Sequence, residues 1–296
     1  MPVQALVLVL IAAVLHAGWN LMAKRSGGDH RFAFLTALGV TVLWAPVAWV
    51  FGADELPRWG VREWAIVSLS ALVHVAYFLT LLRGYREADL TVVYPVARGS
   101  APLVTVLAAV VLLGERLSAV AVLGVAGVCG GVFLIAGGPA LWRGARHAHD
   151  AAARARLRAG LTWGAATGLL IAGYSVIDGY AVKVLAMGPV LFDYLGNVLR
   201  VPLQAPLVWQ ERATLPGLLR AQWKAVLAVV AMGPLAYMLV LYAFTLAPLS
   251  HVAPARELSM LVAALIGGRL LGESDRGLRI AGAGCMAAGV VALAVG

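Results

Sequence analysis

Charge is what this chain has least of. Asp, Glu, Lys and Arg make up 12% of its 296 residues, about half the share usual in soluble domains. So sparse a set cannot cover the surface of a water-soluble protein of this length. Acidic residues are the scarcer sign, 14 against 23 basic. Cysteine is nearly missing. Cys129 and Cys285 stand among glycines in separate apolar runs, which excludes a disulfide-stapled scaffold and reads as small packing residues. There is no HExxH, no GxSxG and no histidine cluster, so the common hydrolytic chemistries lack their residues. There is no GxxxxGK[ST] phosphate loop, so ATP is not a direct energy source. His147 and His149 have no partners to complete a metal site. No cofactor is implied.

What fills the chain instead is hydrocarbon. Hydrophobic residues reach 62% and the mean hydropathy is +0.89. Apolar stretches of about 20 residues recur, the length that crosses about 30 Å of lipid as a helix. Ten are read: 3–23, 32–52, 64–84, 90–113, 118–137, 159–180, 186–208, 223–246, 249–271 and 277–295. The first is not a cleaved signal peptide. It carries His16, Trp19 and Asn20, and its basic flank Lys24-Arg25 follows rather than precedes it. Ten spans with short connections leave no room for a soluble domain. The expected class is an all-α integral membrane protein, multi-pass in the inner (cell) membrane, with the bilayer and a small molecule as partners and no nucleic acid. A monomer and a homodimer are both compatible with the sequence.

The net charge of +9 is therefore a topology signal rather than a nucleic-acid footprint. The connections after spans 1, 3, 5, 7 and 9 carry 16 Lys and Arg residues. The opposite face carries Arg58, Arg62, Arg116 and Lys183. The positive-inside rule puts the richer face in the cytoplasm and both termini outside. The one long connection, 138–158, is an Arg/Ala/His segment expected as a solvated or interfacial linker.

The second half repeats the first. At an offset of 158, Gly114-Glu115 falls on Gly272-Glu273, Gly124 on Gly282, Gly131 on Gly289 and Arg98 on Arg256. Ala17-Gly18-Trp19-Asn20 matches Ala172-Gly173-Tyr174-Ser175 in kind, and Ala76-Tyr77 matches Ala236-Tyr237. Five spans per half is an odd number, so the second copy enters the membrane upside down. The expected organisation is a first five-helix repeat over 1–137, the linker 138–158, and an inverted second repeat over 159–296, with the copies meeting near the midplane. Gly127 and Gly131 form GxxxG, and Gly282, Cys285, Ala288 and Gly289 make the corresponding small surface.

Polar residues inside the spans are costly and therefore informative. Tyr94, Arg98, Ala101 and Thr105 share one helix face, with Pro95 and Pro102 expected to distort the helix around the arginine. Pro254, Arg256 and Glu257 repeat the arrangement. One reading has Arg98 and Arg256 binding an anionic group through the guanidinium fork. The other has them neutralised internally by Glu257, Asp178 or Asp193. Trp19, Asn20, His74, Tyr77, Tyr94, Tyr174 and Tyr237 are candidates to line a substrate site. Asp178, Glu257 and His16 are candidates for proton coupling, against a static ion pair or a helix contact. Asp193, Asn197, Arg200 and Gln204 form a stripe on span 7. Asp193, Asn197 and Arg200 read as a gate or as a packed polar seam, and Asp193 and Arg200 as an ion pair along the helix.

Three stretches carry a resemblance: HAGWNLMAKR, GYREADLTVVYPVARGSAPLVTVLAAVVLLGERLS and AFTLAPLSHVAPARELSMLVAALIGGRLLGES. Their order and spacing resemble the EamA branch of the drug/metabolite transporter superfamily over nearly the whole chain. The resemblance implies two inverted five-helix repeats around a central cavity lined by spans 1, 3, 4, 6, 8 and 9, with spans 5 and 10 outside. It also implies cytoplasmic termini, opposite to the charge bias, so both orientations stay open. The function expected is secondary transport of a small metabolite by alternating access, in the export direction, with or without proton coupling. A flippase of the same fold and a polytopic membrane enzyme are the alternatives.

The charge bias is testable directly. Ala148→Cys should resist a membrane-impermeant thiol reagent in intact cells. Ready labelling from outside would put 138–158 on the external face.

Overall fold

The computed structural model describes residues 1–26, 29–136, 138, 151–267 and 276–296. His147, His149 and the pair Gly272-Glu273 lie outside the described residues. Within them the regular structure is helical throughout: α1 (Val3–Arg25), α2 (His30–Leu43), α3 (Ala45–Gly52), α4 (Val61–Glu87), α5 (Leu90–Leu113), α6 (Ala119–Ile135), α7 (Ala151–Lys183), α8 (Pro189–Val208), α9 (Leu215–Leu246), α10 (Leu249–Ala255), α11 (Leu258–Gly267) and α12 (Arg276–Val295). Local chemistry sets several ends. Asp29 accepts from the amides of Arg31 and Phe32 at 3.0 and 3.1 Å and opens α2. Ser118 accepts from the Ala121 amide at 3.0 Å and opens α6. Gly114 closes α5 at φ +66, a left-handed position that suits glycine.

Five described segments are long and apolar enough to cross a membrane, or six if α2 and α3 count as one span bent by 49°. The chain is thus a membrane protein with several apolar helices. The bend falls at Trp44-Ala45-Pro46, where proline removes a backbone donor. The ring nitrogen of Trp44 donates to the Val230 carbonyl at 2.8 Å and fixes the bend against α9. Part of the segment expected as linker is helical: α7 begins at Ala151, and 151–158 is rich in Ala and Arg, both good helix formers.

Side chains that would be buried in a soluble protein face outward here, among them Val42, Trp49 and Val111. Lipid is as apolar as leucine, so close packing rather than apolar burial decides which helices associate. The α6/α12 contact is the clearest case. A Cβ added at Gly124 would lie 2.9 Å from the Gly289 carbonyl, and one at Gly289 would lie 2.7 Å from that of Gly124. A Cβ at Gly131 would lie 2.5 Å from the Gly282 carbonyl, and one at Gly282 would lie 3.0 Å from that of Gly131. The helices run antiparallel, and the two contacts exchange under the 158-residue offset. The other pairings behave alike: α1 packs on α9 as α4 packs on α7, and α2 packs on α8. Cys129 is buried in this packing and Cys285 is exposed; both are free thiols.

α5 and α7 run parallel in constant register. Cβ atoms at Gly160 and Gly164 would each lie 2.8 Å from the Cβ of Val92 and Val96. Fifteen residues on from Gly168, at the far end of the same pair, Lys183 Nζ donates to Glu115 at 3.0 Å. Glu115 also accepts from the amides of Leu249 and Ser250 at 2.8 and 2.9 Å. One carboxylate thereby joins the end of α5, the end of α7 and the start of α10. Its half-burial pushes the carboxyl up, but the hydrogen bonds from Ser250 and Leu249, with that from Lys183, outweigh this and hold it below the ordinary value.

Two predictions follow from these contacts. Gly131→Ala forces Cβ into the Gly282 backbone and should cost about 1–3 kcal/mol. Gly130→Ala, whose Cβ meets open space, should be neutral or slightly stabilising; thermal unfolding in detergent compares them. Glu115→Gln should cost about 1 kcal/mol near neutral pH. The native carboxyl titrates below the ordinary 4.5, so its stabilisation is present above that value and disappears as the pH falls through the lowered one. The melting-temperature gap between wild type and variant should close in the same window.

Candidate functional site

Asp178 is the centre of the buried polar residues. It sits on α7, fully buried. Ser70 Oγ from α4 donates to its Oδ1 at 2.5 Å, and the Tyr237 hydroxyl from α9 donates to its Oδ2. His74 Nε2 lies 3.9 Å from Oδ2. Three helices thus converge on one carboxylate. Each hydroxyl matters, because a buried acceptor left without its donor costs about 1–3 kcal/mol.

Aromatic rings wall this carboxylate. His74 stacks on Tyr174 with centroids 4.0 Å apart. Tyr77 and Tyr237 meet Tyr174 edge-on at 5.7 and 6.4 Å. His74 Nδ1 is 2.9 Å from the Ser70 carbonyl, one turn back, which fixes the ring. The Arg256 guanidinium lies over the Tyr174 ring at 5.9 Å, and its Nη2 is 3.5 Å from Ser175 Oγ.

The two arginines of the repeat differ in their partners. Arg98, on α5, lies 3.5 Å from Glu257, whose side chain is buried. This is the approach that the internal-neutralisation reading expects. Arg256 is buried as well, yet among the described residues it has no ion-paired carboxylate. The backbones differ too. α5 stays one helix through Pro95 and Pro102, so the distortion expected around Arg98 does not break it. The second copy breaks at Arg256-Glu257, between α10 and α11, in a tight turn closed by Glu257 N to Pro254 O at 2.9 Å and Met260 N to Glu257 O at 2.9 Å. Tyr94 is partly buried against the main core, and Thr105 donates to the Ala101 carbonyl at 2.8 Å within its own helix.

On α1, Asn20 Nδ2 donates to the His16 carbonyl at 2.7 Å, and His16 Nδ1 is 3.3 Å from the Ala12 carbonyl. Trp19 tilts against His16 at 5.6 Å, with its ring N–H buried and without a hydrogen-bond partner among the described residues. On α8 the expected Asp193–Arg200 ion pair is not made. Asn197 stands between: it donates to the Asp193 carbonyl at 2.8 Å and accepts from Arg200 at 3.3 Å. Asp193 Oδ2, Arg200 Nε and Gln204 Oε1 are buried without a hydrogen-bond partner among the described residues.

The structure brings His74, Tyr77, Tyr174, Tyr237, Asp178 and Arg256 into one cluster and sets Arg98 with Glu257 beside it. Sequence reading missed Ser70 and Ser175. Ser70 was findable, since it lies one turn from His74 on a face that already held a polar residue. Ser175 follows Tyr174 directly, and only the reach of Arg256 singles it out.

A family model described as "EamA-like transporter family" matches residues 3–137. No curated protein matches the chain. A solved crystal structure, described only as "Crystal structure of protein", is similar over 100% of this chain and 98% of that one, with a TM-score of 0.74 and 16% identity. At that identity the likeness speaks for the fold alone. The likeness in fold extends over the whole chain, beyond the residues that the family model matches. Residues 3–137 match the EamA-like transporter family, which is a family of the drug/metabolite transporter superfamily.

Proposed function

We propose that the protein is a secondary transporter that moves a small metabolite by alternating access, with Asp178 as its proton-coupling group. The observation that carries this reading is the carboxylate itself, fully buried at the meeting of α4, α7 and α9. An ionisable group inside the bundle of a membrane protein is expensive to keep and marks a functional site by default.

The architecture proposed for this work is ten spans in two inverted five-helix repeats, 1–137 and 159–296, joined by the linker 138–158, in the inner membrane. The exchange of α6/α12 contacts under the 158-residue offset supports it. The transport site is the cluster of His74, Tyr77, Tyr174, Tyr237 and Arg256, with Arg98 and Tyr94 alongside and Trp19 and Asn20 on α1. Glu257 balances Arg98. His16 and Glu257 remain secondary candidates for the proton, and Asp193, Asn197 and Arg200 form the gate on α8. Export is the direction favoured by the family.

The test is uptake into proteoliposomes over amino acids, organic acids, nucleosides and cationic drugs, with and without a pH gradient. Asp178→Asn can still accept from one hydroxyl but no longer titrates. It should fold, and gradient-driven transport should fall by about tenfold or more, the loss that goes with about 1.4 kcal/mol. Wild-type rates in the Asp178→Asn protein would remove Asp178 from coupling. A wild type that moves none of these classes would remove the transport reading.

A further inference from the structure

The two halves differ at one chemically decisive place. Arg98 and Arg256 are 158 residues apart, and so are Gly99 and Glu257. Glu257 stands within 3.5 Å of Arg98. By the same exchange that relates the glycine contacts of α6 and α12, the residue that corresponds to Glu257 is Gly99, which has no side chain to offer Arg256. A Cβ built at Gly99 meets no atom within 4 Å. α5 and α10 are packed neighbours, so the opening lies on the helix that faces the α10–α11 break. Arg256 meanwhile is only 7% exposed. Its described polar contacts are a long approach to Ser175 Oγ and the face of Tyr174, both weaker partners for a guanidinium than a carboxylate.

From this reciprocity we infer that Arg256 holds an anionic group of the transported molecule, a carboxylate or a phosphate, in the space that Gly99 leaves open. This rests on the proposed transport site and assigns its chemistry. The bound group takes the place that Glu257 fills in front of Arg98. A buried arginine with no ion-paired carboxylate among the described residues supplies charge and a two-pronged donor set, and the ring of Tyr174 beneath it holds the guanidinium plane. The remaining rings, Tyr77, Tyr237 and His74, gather around Tyr174 and favour an anion attached to an aromatic or flat apolar body.

Supplying the missing carboxylate from the chain tests the inference without knowledge of the natural substrate. Gly99→Glu and Gly99→Gln both place a long helix-forming side chain in the opening, so their difference isolates the charge. Gly99→Glu should melt higher than Gly99→Gln, and that gap should vanish when Arg256→Gln is added to both. The same proteins are then heated with 3-phenylpropionate, benzyl phosphate or the uncharged 3-phenylpropionamide. Wild type and Gly99→Gln should be stabilised by one or both anions and not by the amide. Gly99→Glu should need about tenfold or more of the anion for the same shift, the ratio that corresponds to about 1.4 kcal/mol. The carboxylate and phosphate arms tell the two chemistries apart.

No melting gap between the Gly99 variants, or a gap that survives Arg256→Gln, overturns the assignment. So does equal stabilisation of Gly99→Glu and wild type by the anions, or stabilisation of neither. Where Arg256→Gln does not fold, the probe series on the Gly99 variants decides alone. If the cycle and the probes behave as expected but liposomes show no uptake, the anion site stands and the transport reading falls.

Discussion

A charge that cannot reach water must be answered from another helix, and this bundle is organised around that constraint. Away from the helix ends, the described residues include Arg98, Arg200 and Arg256 against Asp178, Asp193 and Glu257. Arg200 is met by Asn197 on its own helix, but Arg98 and Asp178 are met from other helices. Glu257 at the α10–α11 break answers Arg98 on α5. Hydroxyls from α4 and α9 answer Asp178 on α7. Each such bond is also a tertiary contact, and in lipid it carries specificity that apolar burial cannot, because leucine against lipid and leucine against leucine differ little in free energy. Removing one member strands the other in a medium that cannot solvate it.

Close backbone approach does the rest. The reciprocal glycine contacts between α6 and α12 hold no polar side chain in common with the cluster. The seam of Gly160, Gly164 and Gly168 against α5 works in the same way. A bundle built like this has fixed seams of small residues and a softer interior of charges and rings. That division suits a protein that must change shape around a site without losing its fold.

Much of this was legible in the residues because lipid enforces simple rules. A long apolar run has to be a helix, and small residues on one helix face mark close packing, so α4, α5 and the small surfaces of α6 and α12 could be read directly; that the two surfaces meet each other could not. Asp178, Tyr174 and Tyr237 stood out because polar groups are rare in such runs. What escaped reading depends on partners distant in sequence. Nothing local to Glu115 shows that its carboxylate caps α10 and meets Lys183. Nothing local to Pro95 and Pro102 shows that α5 stays whole while the copy at Pro254 breaks. Asp193 and Arg200 have the spacing of an ion pair, but Asn197 lies on the same face and takes the bond. The bend between α2 and α3 was written in Pro46, yet its angle is held by Trp44 reaching Val230.

The constant register of α5 and α7 has a mechanical consequence. Helices that run side by side, with glycines at one end and the Lys183–Glu115 bond at the other, form a stiff double rod whose ends cannot shear past one another. The corresponding rod in the other half pairs α1 with α10 and α11, and it is interrupted at Arg256-Glu257. The two pairs therefore differ in kind, one continuous and one broken. Arg256 sits at that break and beside the rings that gather around Tyr174.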